Sequence, residues 1–332
     1  VKMNVFIDTN VFLSFYHLTS DDLEELRKLK VLMDNGDLIL HVPNQTLDEY
    51  RRNRENKIAD ALKSLKDQKL NLKFPAFCKD YGEYSSLREL QKEFEKQHSS
   101  LVKQISEDIE SYSLKADQVI EELFENAKII ITDGALLARA RTRMDIGNPP
   151  GKQGSLGDAI NWEALLSEVP DGEDLYLIAD DRDYFSVIDE NRPKEFLIRE
   201  WKQKKNSDIH FYRRISPFFK EHYPDIKLAS ELEKEMAIQQ LVASKSFAST
   251  HSAIAKLTKY EGFSESQVNE IVDAALTNNQ VNWIIGDSDV LEFISKIAFE
   301  YKDKITEDLL EELKKELAAH EAKEDNDDDF QF

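Results

Sequence analysis

The chain has 332 residues, 41% of them hydrophobic and 33% charged, which is enough for one large domain or two smaller ones. Its formal net charge of −21 argues against a whole-surface nucleic-acid binder, but local basic groups still permit a nuclease. The single cysteine, Cys78, excludes an internal disulfide framework and fits a reducing compartment. No apolar run reaches the length of a membrane-spanning helix. The first residues already read as a core strand, leaving no room for a signal peptide. A cytoplasmic protein with no membrane partner is expected.

Residues 3–60 read as strand, helix, strand, helix. Val5-Phe6-Ile7 runs straight into Asp8-Thr9-Asn10. Leu23, Leu26, Leu29, Val31 and Leu32 give the following helix an apolar face. Gly36-Asp37 ends that helix, and Leu38–Val42 forms the next strand, leading to a helix that carries Glu49. Residues 61–127 read as long charged helices with a break near Phe74-Pro75, a helical insertion in an α/β domain. Residues 134–143 are expected to be helical. Gly147-Asn148-Pro149-Pro150-Gly151 then breaks the chain, and Lys152-Gln153-Gly154 extends the loop.

Ser155-Leu156-Gly157-Asp158 opens a helix reaching about residue 168. Leu175–Ala179 is a strand that ends in Asp180-Asp181-Arg182-Asp183, and Ile209–Tyr212 is the last strand. Alternating strands and helices imply a mostly parallel sheet covered on both faces. This α/β domain is expected over residues 1–224. Only helical patterning follows, so residues 225–320 are expected to form an all-helical partner or assembly module, with Ile254, Leu257, Val268, Ile271, Val272 and Ala275 in its core. Residues 321–332 carry six acids against one lysine and are expected to be a disordered acidic tail. Asp327-Asp-Asp-Phe-Gln-Phe332 resembles the acidic, aromatic-ended tip of bacterial single-stranded-DNA-binding proteins, though a solubilising tail is the preferred reading.

The chemistry lies in isolated carboxylates. Parallel strands deliver the residues at their carboxyl ends to one shared edge. Acids scattered over the domain therefore meet in one pocket. Two carboxylates about 4 Å apart repel by roughly 4 kcal/mol at an effective dielectric near 20, so a cluster of them needs a cation. Hard oxygen ligands favour Mg²⁺ or Mn²⁺, and that chemistry points to phosphodiester hydrolysis. Each motif also has a local explanation. Asp8 can cap the helix after it. Thr46-Leu-Asp-Glu49 is a capping box, and Ser155-Leu-Gly-Asp158 has a similar form. The triplet Asp180, Asp181 and Asp183 is harder to explain without a cation or a basic partner such as Arg182.

The combination is more specific than its parts. Asp8-x-Asn10 after the first strand, Glu49 on the helix after the second, Gly157-Asp158 opening a later helix, and Asp181-x-Asp183-Tyr184 after a following strand resemble the PIN-domain nucleases. The segments from Gly147 to Lys152 and from Gly157 to Trp162 resemble a subgroup of larger bacterial PIN-like proteins. The resemblance covers residues 3–215 and departs from the family in the long insertion and in Ala179, which stands where Thr or Ser is common.

It implies a metal-dependent endonuclease, acting on RNA more readily than DNA, as a toxin, a defence effector or an RNA-processing enzyme. Asp8, Glu49, Asp158 and Asp181 would be the catalytic acids, and with Asp183 they would hold Mg²⁺ or Mn²⁺. Asn10, Arg143 and Lys152 would contact the substrate. The alternative is a catalytically silent PIN-like scaffold acting through protein partners. A protein partner or a homo-oligomer would form through the C-terminal module.

Overall fold

The computed structural model describes residues 2–17, 21–151 and 155–327, with side chains to residue 318. The chain divides into two compact units, Val1–Asp225 and Ile226–Phe332. The first is built on five parallel strands: β1 (Met3–Ile7), β2 (Leu38–Pro43), β3 (Lys128–Ile130), β4 (Leu175–Ile178) and β5 (Ile209–Tyr212). Their order in the sheet is β3-β2-β1-β4-β5. Val5, Phe6 and Ile7 on β1, and Leu175, Leu177 and Ile178 on β4, are all buried, as strands covered on both faces must be.

The order fixes where a site can form. From β1 the chain builds outward through β2 and β3, then returns to the other side of β1 for β4 and β5. The reversal lies between β1 and β4, where Ile7 pairs with Ile178. A parallel sheet opens a crevice at the carboxyl ends of its strands at such a switch point.

Nine helices follow the strands of this unit: α1 (Thr9–Ser14), α2 (Leu23–Asp34), α3 (Asn44–Lys66), α4 (Gly82–Glu110), α5 (Lys115–Asn126), α6 (Gly134–Asp145), α7 (Gly157–Glu168), α8 (Glu195–Lys205) and α9 (Ile215–His222), counted among the described residues. The second unit holds α10 (Ala229–Val242), α11 (Phe247–Leu257), α12 (Glu265–Thr277), α13 (Asn279–Asn282), α14 (Ser288–Glu300) and α15 (Glu307–Asp327). Its core joins Ile254, Leu257, Val268, Ile271 and Val272 to Phe293 and Ile297. Ser264 caps α12 and exchanges hydrogen bonds with Gln267 in a capping box.

Three elements differ from the sequence reading. α4 has no buried residue and stands out from the sheet as an insertion should. α5 does not. Ile120 and Leu123 are fully buried, and Phe124 packs edge-on against Phe12 and Tyr50 with ring centroids 5.0 and 5.2 Å apart. The part that leaves the core is therefore shorter than residues 61–127. β3 is a strand that the sequence did not suggest, because three residues with an exposed Ile129 carry no readable period. α15 continues through Asp327 where residues from 321 onward were expected to lack structure, since Glu, Ala and Lys favour helix. The aromatic end of the tail lies outside the described residues. Among the described residues no helix is long and apolar enough to cross a membrane.

Candidate active site

Asp8 and Asp181 stand just past the carboxyl ends of adjacent strands at the switch point. Asp8 follows β1, and its own N–H donates to the Ile178 carbonyl at 2.8 Å. Its Oδ2 accepts from the Asn10 N–H at 3.3 Å and caps α1. Asp181 lies just past β4 and caps a short 3-10 turn, Arg182–Tyr184, with Oδ1 accepting from the Asp183 N–H at 2.9 Å. Capping occupies one oxygen of each carboxylate and fixes its direction. The local and the chemical explanations of these two acids are therefore both available at once.

Glu49 and Asp158 do no capping. α3 begins at Asn44 after Pro43, so Thr46 lies inside the helix rather than at its cap. The Thr46 hydroxyl donates instead to Asn161 Oδ1 on α7 at 3.1 Å. Glu49 Oε2 accepts from Gln45 Nε2 at 3.2 Å. α7 starts at Gly157 with Leu156 as its cap residue and no side-chain cap. Gly157 is required by close approach: a Cβ there would lie 2.9 Å from Gln45 Nε2 and 3.3 Å from Glu49 Oε2. The glycine thus lets the start of α7 touch the Glu49 turn of α3, and it sets Asp158 beside Glu49.

Electrostatics ties the acids together. Burial pushes the Asp8 carboxyl up to about 7; the Asn10 N–H opposes the shift, and the charges of Glu49 and Asp181 add to it. Asp158 is likewise pushed up to about 7, by burial first and then by Asp8, Asp181, Asp183 and Glu49. Acids from four separate elements therefore act on one another at a single sheet edge. A positive charge joining the set would favour the ionised forms of Asp8 and Asp158.

Carboxylate oxygens are the donors that Mg²⁺ and Mn²⁺ prefer. Among the described residues no group of three or more His, Cys, Asp or Glu side chains is spaced to hold a metal ion directly. The donor chemistry of these carboxylates fits such a cation, and Asp8, Asp181, Asp183, Glu49 and Asp158 are the residues that would hold it.

The remaining candidates divide. Asn10 is exposed beside Asp8. Arg143 corrects the sequence reading: it is 3% exposed and turned into the fold. Its Nε donates to Glu163 at 2.8 Å, and its other nitrogens donate to Glu200 at 2.5 Å and to the Pro149 carbonyl. Burial opposes ionisation of Glu200, but hydrogen bonds from Arg143, Trp162 and Lys204 hold its carboxyl below the usual range. Arg143 therefore pins the Pro-Pro loop to α7 and α8. Lys152 lies outside the described residues. Asp180 is exposed and pairs with Arg213 at 3.0 Å, which leaves half-buried Asp181 and buried Asp183 as the inward acids of the triplet. Gln45 and Asn161 border the acids and were not singled out from sequence, and Tyr184 entered there only as part of the motif after the fourth acid. The signal for Asn161 was its place one helical turn beyond Asp158.

A sequence model of the PIN domain matches residues 5–184, more than half of the chain. No curated protein and no solved structure matches it. The matched span runs from β1 through the turn after β4, which is the stretch that carries all the acids gathered at the switch point, and the chain belongs to the PIN-domain family, whose fold is of the nuclease type.

Proposed function

We propose that the protein is a divalent-metal-dependent endonuclease that hydrolyses RNA in preference to DNA. The observation that carries this reading is that Asp8 and Asp158 are both pushed up, by burial first and then by the charges of acids on other elements. A core gains nothing from such an arrangement, and a cation resolves it. A bound Mg²⁺ or Mn²⁺ supplies charge neutralisation at the scissile phosphate and a lowered pKa for the attacking water. Asp8 and Asp181 are its central ligands, steadied by their cap hydrogen bonds. Asp183 adjoins them.

Glu49 has one oxygen engaged by Gln45 and the other available to orient water, and Asp158 shares that task or holds a second ion. Asn10, Arg52 and Arg182 contact phosphates. Arg52 is three residues past Glu49, hence on the same face of α3, and Arg182 is exposed next to Asp181. With the net charge of −21, such local cations take over the attraction that the surface as a whole does not provide. The helical unit from Ile226 onward recruits a protein partner or a second copy. A cellular role as toxin, defence effector or RNA-processing enzyme is consistent with this chemistry.

The test is incubation of purified protein with labelled RNA and DNA panels in Mn²⁺, Mg²⁺ or chelator. Internal cleavage of RNA that needs the metal and stops with chelator is expected. Metal-independent cleavage, or none on any substrate, would sink the reading.

A further inference from the structure

Three side chains beside the acids carry a fully buried polar atom with no hydrogen-bond partner within the protein: Thr9 Oγ1, Asn161 Nδ2 and Tyr184 OH. Thr9 follows Asp8 directly. Asn161 is three residues past Asp158 on α7, and Tyr184 three past Asp181. Buried polar atoms are nearly always satisfied, so three exceptions around one site point to a ligand or an ordered water.

The chemistry of two of them is defined. Asn161 uses Oδ1 to accept from Thr46, which leaves its amide N–H groups as free donors. Helical spacing sets it on the Asp158 face of α7. The Tyr184 ring is packed in the cluster with Trp162, Ala179 and Phe185. Its main chain is held at both ends, N–H to the Asp181 carbonyl at 3.2 Å and carbonyl from the Lys194 N–H at 3.0 Å. Its hydroxyl is fully buried three residues past Asp181 and has no hydrogen-bond partner within the protein.

We infer that Asn161 and Tyr184 are positioning residues of the metal site, whose N–H and O–H donate to water held between the carboxylates. They form the inner wall of the site. This rests on the nuclease reading above. It also accounts for carboxylates that surround the site without closing into a cage: water completes the set, and these donors hold the water. The Thr9 hydroxyl beside Asp8 is placed for the same task.

Tyr184→Phe tests this, because it removes one unpartnered hydroxyl and keeps the ring. If the hydroxyl were only a core imperfection, the variant would melt at the same or a higher temperature and otherwise match wild type. We expect that melting behaviour together with Mn²⁺ affinity weakened about 10-fold, read by electron paramagnetic resonance. In the cleavage assay kcat should fall while KM for an RNA oligonucleotide stays unchanged. Asn161→Leu should weaken Mn²⁺ similarly. Wild-type Mn²⁺ affinity and kcat in Tyr184→Phe would overturn the role of Tyr184, and the same result in Asn161→Leu would overturn that of Asn161. If the wild-type protein itself binds no Mn²⁺, the nuclease reading fails and this inference falls with it. If wild type binds Mn²⁺ and both variants bind it equally well, this inference alone is overturned.

Discussion

At the scale of single residues, the site sets binding against stability. Asp8 is 3% exposed and lies among other acids, so its ionised form is costly to the fold. Asp8→Asn keeps a side-chain oxygen to cap α1 and removes the charge. Each pKa unit corresponds to about 1.4 kcal/mol. The variant should therefore raise the unfolding free energy of the metal-free protein at pH 8 by on the order of 2–4 kcal/mol, read from urea melts, while cleavage is lost. An Asp8→Asn protein less stable than wild type would refute that balance. Arg143 shows the reverse case. Arg143→Ala would leave buried Glu163 and half-buried Glu200 without their shared partner, with Arg139 and Lys204 compensating in part, and should cost about 2–4 kcal/mol. A variant of unchanged stability with a raised KM would instead restore the substrate contact expected from sequence. The sequence showed which side chains carry charge here but not which way they turn. Arg143 sits in a basic run next to a Pro-Pro loop, and only the packing of α7 and α8 reveals the carboxylates that capture it.

At the scale of elements, what could be read in advance depended on whether the signal was local. β1, β2, β4 and β5 are apolar runs bounded by turn residues, and the acids at the carboxyl ends of β1 and β4 are legible for that reason. β3 is too short, and the amphipathic α5 hides within a charged stretch although it packs against α2. The two capping-box patterns were genuine ambiguities. α3 starts two residues before Thr46, and α7 starts without a side-chain cap, so Glu49 and Asp158 are released for the site by helix boundaries that sequence sets only loosely. Gly157 is the element-level hinge of this arrangement. Gly157→Ala puts a methyl against the Gln45 amide and the Glu49 carboxylate. Because the Gln45 end is flexible, stability should change by less than about 1 kcal/mol. Cleavage should fall about 10-fold or more through the displaced Glu49. Full activity in that variant would detach Glu49 from the catalytic set.

At the scale of the whole molecule, the acids, the switch point and the family match all fall in the first compact unit. A truncation after Asp225 should stay folded and cleave a simple oligonucleotide in saturating Mn²⁺, yet lose assembly or targeting. A folded but inactive truncation would give the helical unit a part in catalysis. The alternation of strands and helices made the α/β class legible, and the change of pattern after Tyr223-Pro224 marked the all-helical region. The role of the helical unit was not legible, because its periodic apolar positions report only its own core. The most direct test of the account is the rate of RNA cleavage in Mn²⁺ by wild type and by Asp181→Asn, with folding of both checked by circular dichroism. The account predicts metal-dependent cleavage by wild type and a loss on the order of 100-fold or more in the variant. Equal rates from two folded proteins would contradict it.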